Sequence, residues 1–484
     1  MGKTGTGAEK TEKQEMEIKP SCIVTFRPHD GYEGEYGFDW VRVGDYLLKS
    51  TGGGTKPAYI THEIMGRYLK EGTETGRSVL DTTSGARECS LCSRRTSCEI
   101  LCAKDFCFDC SETATCKVCV DINAHSKRFK YDNSSVFSDR TKRGSQTKKL
   151  LRSFHRYTRG WKDNEIIINK LSKEIERELY SFTPKLTIFP NETITLKCLV
   201  YIKDKALPEN LIWEHNDMFK LVFTTKENIS TINNWQEFQF TLECKRNFSN
   251  KEHIKVSFKD NENIKYICGK LEVLPNKIKE IDVIKVRVTS QAHRAAGGFS
   301  SDDLKMLKNA LKQGYVKFTD IEVDLNPTVD DPNWFNSYFD SHGRVTNNNA
   351  LMLDLLNNLN NRLISQNLTT PIHPSFDETR IRNAQKIYSI NETANGYGGY
   401  SIESQRACVL VTGHSPSTAP HELLHSLGLP HTFTVKEAAG LKTSDYTYFA
   451  RKTENIMDYS HTEGIERRML NHWQWKVINK EGVT

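Results

Sequence analysis

Residues 421–431, HELLHSLGLPH, constrain this chain more than any other stretch. His421 and His425 are four residues apart, so on a helix they leave from one face at a spacing that lets both imidazoles share one ion. Glu422 stands beside them on the same turn. Gly428 can take a positive φ without a Cβ clash, which ends the helix and returns the chain so that His431 reaches the same point. The expectation is a metal held by His421, His425 and His431 with a fourth position left for water, the arrangement of a catalytic rather than a structural zinc. Such an ion brings the pKa of water down to about 7, and Glu422 is placed to take the proton. The reaction class is hydrolysis of an acyl bond, a peptide foremost. The competing reading is a helix whose histidines are satisfied in the core or at the surface and hold no metal. "THEIMGRYL" begins the same way at His62 and Glu63, but the second ligand position is Gly66, so no site is expected there.

A chain of 484 residues is too long for one ordinary core and predicts three to five domains. Hydrophobic residues at 37% and charged residues at 26% supply enough apolar surface for those cores, which excludes a disordered chain. The net charge of +6 is small for this length and does not by itself imply nucleic acid. Residues 1–19 form a polar, disordered leader with no apolar run of the kind a secretory signal needs, and no window is apolar enough to span a bilayer.

Residues 20–80 alternate β-formers with Gly and Asp clusters and predict a small β-rich domain. Residues 86–125 hold eight of the 13 cysteines. Cys89 and Cys92 with Cys107 and Cys110 form one C-x-x-C set, and Cys98 and Cys102 with Cys116 and Cys119 form a second, interleaved with the first. That spacing suits two cross-braced structural zinc ions; four disulfides are the alternative, and the lack of a signal peptide favours zinc. Either staple replaces a core that so short a segment cannot build. Residues 126–181 are a basic linker with interleaved aromatics, ending in a helix with Ile168, Leu171, Ile175 and Leu179 on one face. A basic tract after a cysteine module fits nucleic-acid binding, but a solvated linker is the commoner outcome, so nucleic acid is not an expected partner.

Residues 182–276 carry seven short β-runs with polar turns, the pattern of a β-sandwich. Cys198, Trp213 and "YIC" at 266–268 resemble the core cysteines, tryptophan and tyrosine of immunoglobulin-like domains. By that resemblance Cys198 faces Cys268, bridged or as buried thiols, with Cys244 left over. Residues 277–484 then open with a strand, "EIDVIKVRVTS", and a helix capped by Ser and Asp that carries Leu304, Leu307 and Leu311. The fold class expected for the whole is therefore multidomain α+β.

The three histidines and glutamate, followed by "NIMDYS", resemble the metzincin zinc peptidases over about residues 280–484. Within that family "GLPHTF" and "NIMDYS" look most like the pappalysin or cytophagalysin branch, although no cysteine follows the zinc helix and Cys408 stands alone. The resemblance implies that Met457 is a packing floor beneath the metal and that Tyr459 approaches it or stabilises an oxyanion, as in astacin-like and serralysin-like members. It further implies an upper part with a twisted sheet and two long helices, a lower part with the methionine turn and a terminal helix over "ERRMLNHWQWKVINKE", and substrate lying extended along "GYGGYSIES". His414, His461 and His472 flank the motif and are expected at the surface. The N-terminal region is similar to segments of secreted Bacteroidetes effectors, which implies export without a cleaved signal, through a type VI apparatus or another carrier; cytoplasmic residence is the alternative. The functions in contention are a zinc endopeptidase acting on protein or peptide substrates, an adhesion or binding protein with an inert peptidase domain, and a nucleic-acid binder.

Overall fold

The structure, a computed structural model, describes residues 22–40, 46–51, 54–59, 156–158, 180–202, 211–223, 235–259, 265–289, 296–329, 331–346, 348–394, 396–402, 405–432, 451 and 453–480. The cysteine module expected at 86–125, the helix expected over 164–179 and residues 433–450 lie outside the described residues.

The chain begins with β1 (Cys22–Pro28) and β2 (Phe38–Asp39), followed by the paired strands β3 (Tyr46–Thr51) and β4 (Gly54–Tyr59) and by the pair β5 (Arg156–Thr158) and β6 (Tyr180–Phe182). Next come β7 (Lys185–Leu186), β8 (Glu192–Ile202), β9 (Leu211–Glu214), β10 (Phe219–Phe223), β11 (Trp235–Cys244), β12 (Glu252–Lys259) and β13 (Lys265–Val273). Two sheets form, in the orders β1-β8-β11-β10 and β2-β7-β13-β12-β9. Ile194, Leu196, Cys198 and Val200 are buried at every second position of β8, as a strand with one face on a core requires. They share that core with Phe26, Phe240, Ile254, Val256 and Cys268, which come from both sheets.

This arrangement corrects the boundary drawn after residue 80. Strand β1 pairs along its whole length with β8, from Cys22↔Ile202 to Pro28↔Leu196, and β2 pairs with β7 at Phe38↔Leu186 and Asp39↔Lys185. Residues 22–40 are thus part of the sandwich and not of a separate N-terminal domain. Everything between residues 40 and 183 is inserted between two neighbouring strands. The runs that predicted seven strands do become β7 to β13, with Cys198 and Cys268 buried on different sheets and Trp213 edge-on to Phe26 at 6.0 Å.

The C-terminal half is built on one five-stranded sheet, β15-β14-β16-β18-β17. Its members are β14 (Lys279–Val288), β15 (Val316–Leu325), β16 (Gln385–Ile390), β17 (Gly399–Ile402) and β18 (Ala407–Val411). Four strands are parallel, and only β17, at one edge, runs antiparallel to its neighbour. All five residues of β18 are buried, as expected for a strand covered on both faces. Ala407, Val409 and Val411 face a core shared with α3 (Asn349–Thr369) and the short helices α2 (Trp334–Tyr338) and α4 (Glu378–Asn383). Cys408 and Leu410 face a second core with α1 (Ser301–Gln313), α5 (Thr418–Ser426), the segment around Met457 and α6 (His472–Ile478). Helix α1 starts where its sequence predicts: Ser300 accepts from the Asp303 amide while Asp303 accepts from the Ser300 amide, a capping box. The terminal helix is shorter than expected, because residues 467–470 are extended alongside 454–456 and Asn471 caps the helix.

Sandwich and α/β half share a buried seam. The Gln313 amide donates to the Gly34 and Arg468 carbonyls at 3.0 and 2.8 Å and accepts from the Leu470 amide at 2.8 Å. Tyr315 bridges the Ile188 amide and the Leu274 carbonyl. Asp39 accepts from both the backbone amide and the ring of His472, at 2.8 and 2.6 Å. No helix among the described residues is long and apolar enough to cross a membrane.

Candidate metal centre

Strand β18 ends in a turn through Gly413, at φ +86°, and the chain re-enters the domain as α5. The helix lies across the sheet against β18, β16 and β17, with Ala419, Leu423 and Leu424 in the core. Four-residue spacing carries His421 and His425 to one side. Gly428 stops the helix at φ +94°, where the Leu429 amide bonds back to the Leu424 carbonyl and the Gly428 amide to that of His425. That pair of bonds is a Schellman close, and it needs a residue tolerant of the left-handed region. The reversal delivers His431.

The three Nε2 atoms end 3.2, 3.2 and 3.0 Å from one another. A tetrahedral ion with metal–nitrogen bonds of about 2.0–2.1 Å would set them about 3.3 Å apart, so the triangle fits one zinc-sized ion at its apex. Two of the rings are fixed in the tautomer that such an ion needs. His421 Nδ1 donates to the Ile456 carbonyl at 2.7 Å and His425 Nδ1 to the Leu429 carbonyl at 2.6 Å, which leaves each Nε2 lone pair facing inward. Burial, and then the neighbouring rings and Arg467, push His421 well below the usual histidine range and keep it neutral. Among the described residues this is the one group of three potential ligands whose donor atoms converge.

Glu422 is buried beside this triangle, and desolvation raises its carboxyl to about 8 against the lowering influence of Arg467. Met457 is fully buried in the core beneath α5, and its carbonyl accepts from the Thr432 amide, one residue after His431. Tyr459 is 37% exposed with its ring centroid 4.8 Å from His431 and 5.6 Å from His421. The motif and both residues of the methionine turn are therefore brought together. The flanking histidines correct the surface expectation: His472 is buried against Asp39 in the seam, and His414 is largely buried on Asp303, while His461 is exposed. "GYGGYSIES" does supply an edge strand, β17, packed against α5.

Sequence reasoning missed the residues that shape the turn. The Asp458 carboxylate accepts from the amides of Arg451, Thr453 and Tyr459 and from the Thr453 hydroxyl. Asn455 accepts from the Met457 amide and pairs reciprocally with Gln474 of α6. Arg467, 2% exposed, donates to Ser417 Oγ from two nitrogens, at 2.9 and 2.6 Å, and to the Asp458 carbonyl at 2.8 Å. It thereby ties the start of α5 to the turn at Met457 and Asp458, and its Nη1 lies 3.3 Å from His421 Nδ1. Asp458 stood inside a motif that already drew notice, but a lone arginine 36 residues beyond His431 carries no local signal.

No protein family and no curated protein matches the chain. Among solved structures it is similar to a family 123 glycoside hydrolase from Clostridium perfringens, studied for glycolipid glycan hydrolysis, with 9% identity over 55% of this chain and 57% of that one and a TM-score of 0.14. The chain spans a little over half the length of that structure, and a score so low carries no argument about fold or activity.

Proposed function

We propose that the chain is a zinc-dependent endopeptidase of the metzincin type. The observation that carries the reading is the convergence of His421, His425 and His431 Nε2 within 3.2 Å, with the adjacent Glu422 carboxylate buried on the same helix. A zinc ion held by that set supplies Lewis acidity toward water and a scissile carbonyl. Glu422 takes a proton from the attacking water and returns it to the departing amine, work that suits a carboxyl whose burial raises it toward neutral pH. Tyr459, beside His431 and open to solvent, offers a hydroxyl to charge developing on the carbonyl oxygen. Met457 holds the floor. The antiparallel edge strand β17 next to α5 supports an extended peptide as the substrate.

The immunoglobulin-like character of the sandwich, the two structural zinc ions of the cysteine module and export as a signal-independent effector belong to the same proposal. They rest on the residues quoted for them. An inert, adhesive domain is the weaker reading, because it gives no account of three imidazole nitrogens converging on one point beside a buried carboxylate.

The test compares the intact chain with Glu422→Gln and His431→Ala on dye-quenched casein and a proteome-derived peptide library, with zinc measured by atomic absorption. The expected result is cleavage by the intact chain, none by Glu422→Gln with its metal retained, and loss of metal in His431→Ala. A Glu422→Gln protein that still cleaves at the original rate would overturn the role of the carboxylate.

A further inference from the structure

Gly399 opens β17 in ordinary strand backbone, with a φ outside the left-handed region, so no turn requires a glycine there. A glycine inside a strand gives up packing and adds unfolded-state entropy, and its usual justification is close approach of another group. Here that group is the base. A Cβ built on Gly399 would lie 2.6 Å from Glu422 Cγ and 3.1 Å from Glu422 Cδ. The Val409 carbonyl of the paired strand stands 3.0 Å from the same point.

We propose that Gly399 is a positioning residue for Glu422: its bare backbone is the surface on which the carboxylate side chain rests, and any side chain there displaces it. Ordinary carbon contacts need about 3.5–4.0 Å, so an added methyl must push Cγ by about 1 Å. The Val409 carbonyl blocks relief on its side, which leaves the glutamate side chain as the part that gives. A displacement of about 1 Å at a catalytic group costs up to about a hundredfold in rate. Gly298, outside that segment, makes a useful contrast, because a Cβ there would meet nothing within 4 Å.

The inference rests on the peptidase reading, and the test separates the two. Full-length protein is loaded with cobalt in place of zinc, and acetohydroxamate, a chelator that also bonds the base carboxylate, is titrated while the visible cobalt band is followed. Gly399→Ala should keep the ligand-free band and the melting temperature, weaken acetohydroxamate about tenfold, and add no further weakening in a Glu422→Gln background, since a misplaced base and a missing one lose the same bond. On dye-quenched casein its kcat should fall about a hundredfold with KM within about threefold. Gly298→Ala, where the added Cβ would meet nothing within 4 Å, should leave both readouts near the parent values.

Unchanged acetohydroxamate affinity in Gly399→Ala, or weakening that adds to that of Glu422→Gln, would overturn the positioning role and leave the peptidase reading intact. Failure of the parent to take up cobalt would overturn both. If Gly399→Ala does not fold, Gly399→Ala/Glu422→Ala, which lacks the colliding Cγ, should recover the parent melting temperature; a double variant that stays unfolded places the clash at Val409 and overturns the proposal.

Discussion

Gln313 offers the sharpest test of how the two halves hold the site. It is fully buried at the end of α1, and its amide joins three separate backbone segments: the Gly34 carbonyl in the sandwich, and the Arg468 carbonyl and Leu470 amide in the strap beside the methionine turn. Gln313→Leu keeps nearly the same volume and removes all three bonds. Water has no room to replace them on the sandwich side, since even a Cβ on Gly34 would come 2.2 Å from the Arg468 carbonyl. Each backbone group so stranded costs about 1–3 kcal/mol, and allowing for some relaxation the total is about 4 kcal/mol. At roughly 2–4 °C per kcal/mol for units of this size, the melting temperature should drop by about 10 °C. The strap hydrogen-bonds to residues 454 and 456, just before Met457, so metal affinity measured by chelator competition should weaken as well. Differential scanning calorimetry on the full-length parent and variant decides the matter. A shift under about 2 °C would mean that the seam is wet or that the three segments hold together without this side chain, and the argument for a shared rigid frame would fail.

Three further outcomes follow from the same geometry. In metal-free protein, burial holds Glu422 near 8 while the unfolded chain titrates near 4.3, so the folded state keeps a proton that the unfolded state sheds, and stability falls as pH rises through that window. The lowered His421 acts in the opposite direction below about 6.5, whereas His414, raised by Asp303, adds to the fall above it. The Glu422 share between about pH 6.5 and 8 is about 2 kcal/mol, and it should vanish in Glu422→Gln when urea midpoints are compared at the two pH values. Asp39→Ala removes the acceptor shared by the His472 amide and ring in the buried seam and should cost about 3 kcal/mol by thermal denaturation; a change within about 0.5 kcal/mol would refute the pairing as a structural tie. Arg467→Lys replaces a planar fork that spans Ser417 and Asp458 with one ammonium that reaches a single partner, so metal affinity should fall about tenfold, and unchanged affinity would show that the arginine does not hold the ligands.

Local chemistry made part of this protein legible in its sequence. The four-residue spacing of His421 and His425, the left-handed turn at Gly428 and the return of His431 depend on backbone geometry within eleven residues, so the convergence of the three imidazoles could be expected before any fold was known. The same holds for the capping box that starts α1 and for the period-two burial of β8. Strands β7 to β13 were visible because each buries one face on one core. What the sequence could not disclose is which distant segments meet. The pairing of β1 with β8 spans some 170 residues, and hydrophobic alternation says that a strand has a buried face without saying against which neighbour. Gln313, Arg467 and the Asp39–His472 pair are single polar residues with no pattern around them; burial fixes their roles, and burial is a property of the assembled chain. Gly399 shows the division most clearly, because its missing side chain has meaning only once β17 is laid against the helix that carries Glu422. Sequence determined which side chains can converge, and tertiary packing decided what holds them still, since convergence needs residue types at set spacings whereas positioning needs contacts between segments that only folding brings within reach.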